Sequence, residues 1–187
     1  MKSFNPTKAL FLAATSLFLT SCSDDDNGPV NEEEVITTVT TTLKNGATTI
    51  TLTSKDLDGD GPNPPVVTVS GNLTANTVYN GETTFLNELE SPAEDITVEV
   101  EEEGDEHQVF YQIPPALGTI GYTDFDLNAK PVGLTFTYTT GNVGTGNLTV
   151  TLRHEPNKSA AGVAAGDITN AGGATDAQVS FPIVIAN

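Results

Sequence analysis

The chain has 187 residues, with 25 acidic against seven basic side chains and a formal net charge of −18 at pH 7. Such an acidic surface argues against binding nucleic acid or anionic lipid headgroups, and leaves solubility, cation binding or a basic partner. A single cysteine rules out an internal disulfide and any cysteine-rich zinc site, and there is no tryptophan to shape a sugar cleft.

The amino terminus reads MKSFNPTKALFLAATSLFLTSC. Lys2 and Lys8 precede an apolar run, residues 9–19, that is too short for a spanning helix and has the form of an export signal. Leu19-Thr20-Ser21-Cys22 resembles a bacterial lipobox. That resemblance implies cleavage before Cys22, a lipid on Cys22 and attachment to a lipid bilayer. The following SDDDNGPVNEEE, residues 23–34, is polar and acidic and has no apolar anchor, so it reads as a solvated tether. An acidic run behind the lipidated cysteine resembles the export signals of surface lipoproteins in the Bacteroidetes lineage, which implies the outer membrane and its cell surface. The expected organisation is a signal peptide over 1–21, an acidic tether over 22–34 and one β domain over 35–187.

From residue 35 onward, threonine and valine alternate with larger apolar residues. Ile50 and Leu52 share one face of a strand, as do Leu134, Phe136 and Tyr138, then Leu148, Val150 and Leu152, then Val179, Phe181, Ile183 and Ile185. Period-two patterning of this kind predicts half-buried strands. Strands are expected over 35–43, 48–53, 66–69, 73–79, 83–89, 96–100, 107–113, 134–140, 147–154 and 179–185. Asn45-Gly46 and Asn80-Gly81 read as hairpin turns, and the glycine-rich stretch 141–146 as the connection between two further strands. Residues 87–95, interrupted by Pro92, read as a loop. Residues 156–176 form the longest irregular segment, with room for one helical turn around 160–165, and a connection of that length in a small domain suggests a function. The fold class is all-β: an antiparallel β-sandwich of roughly 8–10 strands, with a small β-barrel as the alternative.

Two groups of residues carry metal-binding chemistry. DLDGDGPNPP places Asp56, Asp58 and Asp60 at alternate positions before Gly61, matching the first half of an EF-hand loop. Position 12 of that loop falls on Val67 rather than a glutamate, so a complete EF-hand is excluded. Three carboxylates could still hold calcium if the acids of 88–95 complete the shell. His107 and His154 are the chain's two histidines, each beside acidic residues. Strand parity puts His107 on the face of Val109 and Tyr111, and His154 on the face of Val150 and Leu152. Should their strands adjoin, two imidazoles and a carboxylate make a site for zinc, copper or iron. There is no GxSxG elbow, glycine-rich phosphate loop or HExxH, so the expected role is non-catalytic.

The stretches DLDGDG, LNELESPAEDIT, EHQVFYQ and RHEPNKSAAGVAAGDITNAGG, spread over nearly the whole chain behind Cys22, resemble a family of uncharacterised Bacteroidetes lipoproteins. The resemblance supplies the setting, an outer-membrane lipid anchor. The functional expectation is a membrane-anchored domain that binds a small ligand or a metal ion beside an outer-membrane importer. The alternative is a structural or adhesive surface module whose partner is another protein.

Overall fold

A computed structural model of the chain describes residues 34–59 and 61–187. The lipobox with Cys22, the tether up to residue 33, and Asp60 lie outside the described residues. In chain order the elements are β1 (Thr38–Asn45), β2 (Thr48–Lys55), β3 (Val66–Val69), β4 (Leu73–Thr74), β5 (Val78–Asn87), β6 (Glu94–Asp95), α1 (Ile96–Glu102), β7 (His107–Gln112), β8 (Gly118–Tyr122), β9 (Thr135–Thr140), β10 (Gly144–His154) and β11 (Ala174–Ala186). Short 3₁₀ turns occupy Pro115–Leu117, Val163–Ala165 and Ile168–Asn170.

These strands form a mostly β fold of two sheets, one of them curled into an open, half-barrel-like arrangement. The larger sheet runs β3-β2-β1-β5-β9-β8, with β6 also pairing to β5; the smaller runs β4-β11-β10-β7. Every pairing is antiparallel except that of β11 with β4. One apolar core joins both sheets. Val39, Leu43, Leu52, Phe85 and Phe136 come from the larger sheet, and Leu148, Val150, Phe181 and Ile183 from the smaller. The alternating threonines face outward or pair among themselves, as Thr41 and Thr83 do through their buried hydroxyls at 2.9 Å.

Two local expectations are corrected, and one strand was not foreseen. Residues 96–100 form a helix, not a strand. Ile96 and Val100 are buried, but Val98 between them is half exposed, which fits a spacing of four and not of two. Asp95 caps this helix by accepting the Thr97 N–H at 3.1 Å. Asn80-Gly81 is not a turn: β5 runs straight through it, paired to β1 on one side and β9 on the other. Gly81 is needed there because a Cβ would lie 2.3 Å from Phe136 Cζ. Residues 141–143 join β9 to β10 as expected, although the two strands belong to different sheets. Strand β8, whose sequence GTIGY carries two glycines, was not expected.

The irregular segment ends earlier than expected, because β11 begins at Ala174, and residues 156–173 lie against the outer face of the smaller sheet. Phe110 packs there with Val163 and Ala171 in a second apolar cluster, and Gln108 Nε2 donates to the Val163 carbonyl at 2.9 Å. This cover buries β7 on both faces, so His107 through Tyr111 are all buried. The buried ammonium of Lys158 fastens the segment, donating to the carbonyls of Gly104 and Pro131 and to Asp126.

Candidate metal centre

In the antiparallel pairing of β7 with β10, His107 stands opposite His154. Directly opposed residues in such a ladder share a face. The two rings meet with centroids 4.6 Å apart and planes inclined at 44°. The ladder continues one step, with Glu155 N–H donating to the Glu106 carbonyl at 2.6 Å. Glu155 then turns the chain away with a φ of 49°. The site therefore sits at one end of the smaller sheet, where β7 begins just after α1 and β10 ends.

A third group completes it. The Glu34 carboxylate approaches the His107 ring, with Oε1 2.8 Å from Nε2. Both side chains are almost fully buried, His107 at 0% and Glu34 at 4% exposure. On its other side, His107 Nδ1 lies 3.2 Å from the Glu103 carbonyl. A carbonyl only accepts, so Nδ1 carries the proton and donates to it, and Nε2 is left facing the Glu34 carboxylate. Two lone pairs at that distance repel unless a proton or a cation lies between them. The contact is close but off the ring's hydrogen-bond axis. Neither His107 Nε2 nor Glu34 Oε2 has an aligned hydrogen-bond partner among the described residues, and His154 Nδ1 also lacks one. His154 Nε2 is 3.7 Å from Glu106 Oε2.

Burial works against charge on His107, but the Glu34 carboxylate outweighs it, helped by the Glu103 carbonyl and the charge of Asp176; the pKa is raised above the ordinary value. Asp176 is the extra residue of a bulge where β11 slips against β10 between Leu152 and Arg153.

One ligand atom from each of Glu34, His107 and His154 lies within 4.8 Å of the other two. This set of two imidazole nitrogens and one carboxylate oxygen suits zinc, iron(II), nickel or copper. The Glu103 carbonyl holds one imidazole in the required tautomer, as outer partners commonly do for metal-ligating histidines. Two further groupings adjoin it: Glu106, His154 and Glu155, and Glu34, Glu99 and Glu103. Within the latter, Glu99 has a raised pKa from partial burial and from the nearby charges of Glu34, Glu103 and Glu94.

The structure brings together the two sequence-predicted histidines. Of the predicted calcium residues, Asp56 and Asp58 join no comparable cluster among the described residues. Asp56 Oδ1 accepts the N–H groups of Asp58 and Gly59, closing a turn on itself. Asp58 is exposed and accepts from the Asn63 side-chain amide at 2.7 Å, which with the Asn63 N–H holds its carboxyl below the ordinary value. Among the described residues no other acid joins them in such a cluster, and three of the acids of 88–95 are engaged elsewhere. Glu88 binds Lys55 and the Thr38 hydroxyl, Glu94 takes the Asn87 amide, and Asp95 caps α1. Calcium at this corner is therefore unsupported, with Asp60 outside the described residues.

Glu34 is the site residue that sequence reasoning missed, because it ends an acidic run assigned to the tether. Away from this centre, an open groove of about 560 Å³ runs beside α1, lined by Glu82, Glu101, Asp105 and Asp124, with Phe125 and Leu127 exposed on its rim. No protein-family model, curated protein or solved structure matches the chain.

Proposed function

We propose that this chain is a lipid-anchored outer-membrane protein whose β domain binds a transition-metal ion through Glu34, His107 and His154, without catalysing a reaction on it. The observation that carries the reading is the facing pair of histidines at 4.6 Å beside a buried carboxylate, with polar atoms that lack aligned partners. Buried polar atoms normally find partners, and a cation would supply one to all three side chains at once. Three protein ligands leave one position of a tetrahedral ion for water or a small ligand, and the non-catalytic reading rests on the sequence, which carries no recognised catalytic motif. The lipid on Cys22, the outer-membrane location and a role beside an importer rest on the lipobox and on the resemblance to Bacteroidetes lipoproteins. The two sheets sharing one core fit a sandwich better than a closed barrel.

Cobalt(II) titration of the full chain in detergent, after chelator treatment, tests the metal reading. One equivalent should bind with the visible spectrum of a low-coordinate nitrogen–oxygen site, and both His107→Ala and His154→Ala should abolish that spectrum. Absence of binding at micromolar cobalt, or an unchanged spectrum in both variants, overturns it.

A further inference from the structure

We propose that Glu34 bridges two cation sites, the histidine site and a second one formed with Glu99 and Glu103 that takes a hard divalent cation such as manganese, magnesium or calcium. Among the described residues, Glu34 is the one side chain common to the histidine group and to the Glu99–Glu103 group. In the second group, one carboxylate oxygen from each residue lies within 4.8 Å of the others. The Glu34 side chain is only 4% exposed, and its Oε2 has no hydrogen-bond partner among the described residues. Oε1 is the atom beside His107, so a carboxylate with one oxygen toward the imidazole keeps the other for a second ion.

Helix α1 makes the second half of the site. Glu99 and Glu103 are four residues apart, one turn of helix, and the Glu103 N–H donates to the Glu99 carbonyl at 2.9 Å, keeping that spacing at the helix end. Two like charges at this spacing repel on a helix, and a third carboxylate adds to the cost. A divalent cation among the three converts that repulsion into ligation. All three ligands are carboxylate oxygens, and Glu99 and Glu103 are exposed, so the ion enters from solvent and keeps part of its water shell, as hard cations prefer. Glu103 serves both sites, its carbonyl orienting His107 and its carboxylate joining the second ion.

The second site shares Glu34 with the proposed transition-metal centre but does not require that centre to be loaded. The experiment uses the full chain in detergent at physiological salt, with manganese(II) read by electron paramagnetic resonance. His154→Ala, which removes the transition-metal site, should retain one manganese equivalent. Glu99→Gln/Glu103→Gln should weaken that equivalent at least tenfold while leaving cobalt bound at the histidines. Loss of cobalt binding in the wild type with manganese retained would sink the histidine reading alone. Manganese binding that is indifferent to Glu99→Gln/Glu103→Gln overturns the second site. With cobalt and manganese loaded together, the manganese signal should broaden through the nearby paramagnetic ion; an unbroadened signal overturns the bridge.

Discussion

His107 faces Glu34 across 2.8 Å inside the protein, with their side chains 0% and 4% exposed. Removing one member of a buried pair leaves the other uncompensated, which costs about 3–5 kcal/mol. His107→Ala should therefore destabilise the chelator-treated protein by about that amount in urea unfolding. Adding Glu34→Gln should recover part of the loss, because an amide tolerates burial better than an isolated carboxylate. A loss well under about 1 kcal/mol, typical of exposed pairs, would show that water reaches Glu34.

Asp126 and Lys158 give a pH dependence with a definite sign. Burial acts to raise the Asp126 carboxyl, but the Lys130 N–H and the Lys158 ammonium more than offset it, so its pKa lies below the ordinary value. At Lys158 the balance differs: burial outweighs the attraction of Asp126 and lowers the lysine pKa. The two shifts are not mirror images, and the Asp126 direction has the firmer geometric basis, with two backbone N–H donors besides the lysine. A depressed carboxylate stabilises the fold fully above its unfolded value of about 4, and that contribution is lost as pH falls through the folded value. Denaturation followed from pH 6 to pH 2 should show an acid limb that becomes shallower in Asp126→Asn, which is also less stable at neutral pH. An unchanged acid slope would remove Asp126 from the cause.

Gly81 and Phe136 make a steric prediction. An added Cβ would meet three ring carbons of Phe136 at 2.3 to 2.6 Å. Overpacking of this kind costs about 1–3 kcal/mol, so Gly81→Ala should lower thermal stability despite alanine's lower backbone entropy cost. Phe136→Leu combined with Gly81→Ala should be less destabilised than the sum of the single changes. Strict additivity would mean the ring moves aside freely.

Much of the smaller sheet was legible because parity is unambiguous in long strands. His107 and His154 fall in phase with Val109, Tyr111, Val150 and Leu152, and the structure sets the two histidines opposite each other. The helix at 96–102 was harder to read, since Ile96 and Val100 satisfy both a period of two and a spacing of four. The exposure of Val98 separates the two readings only after folding. Gly81 misled because an Asn-Gly pair has a strong turn preference, while the approach of Phe136 from another strand leaves no local trace. Glu34 was illegible for a related reason. The residues just before it are acids and its partners lie more than 60 positions away, so composition describes a tether where packing makes a ligand.

Protein engineering meets the Lys158 anchor directly. Residues 156–176 look from sequence like the natural place to graft an epitope or fluorescent tag, being long, small and poor in regular structure. They instead wall off Phe110, and an insertion there has to lift Val163 and Ala171 from that ring and strand the Lys158 ammonium. The Asn45-Gly46 turn offers the better graft point: residues 44–49 are exposed, and a Cβ at Gly46 meets nothing within 4 Å.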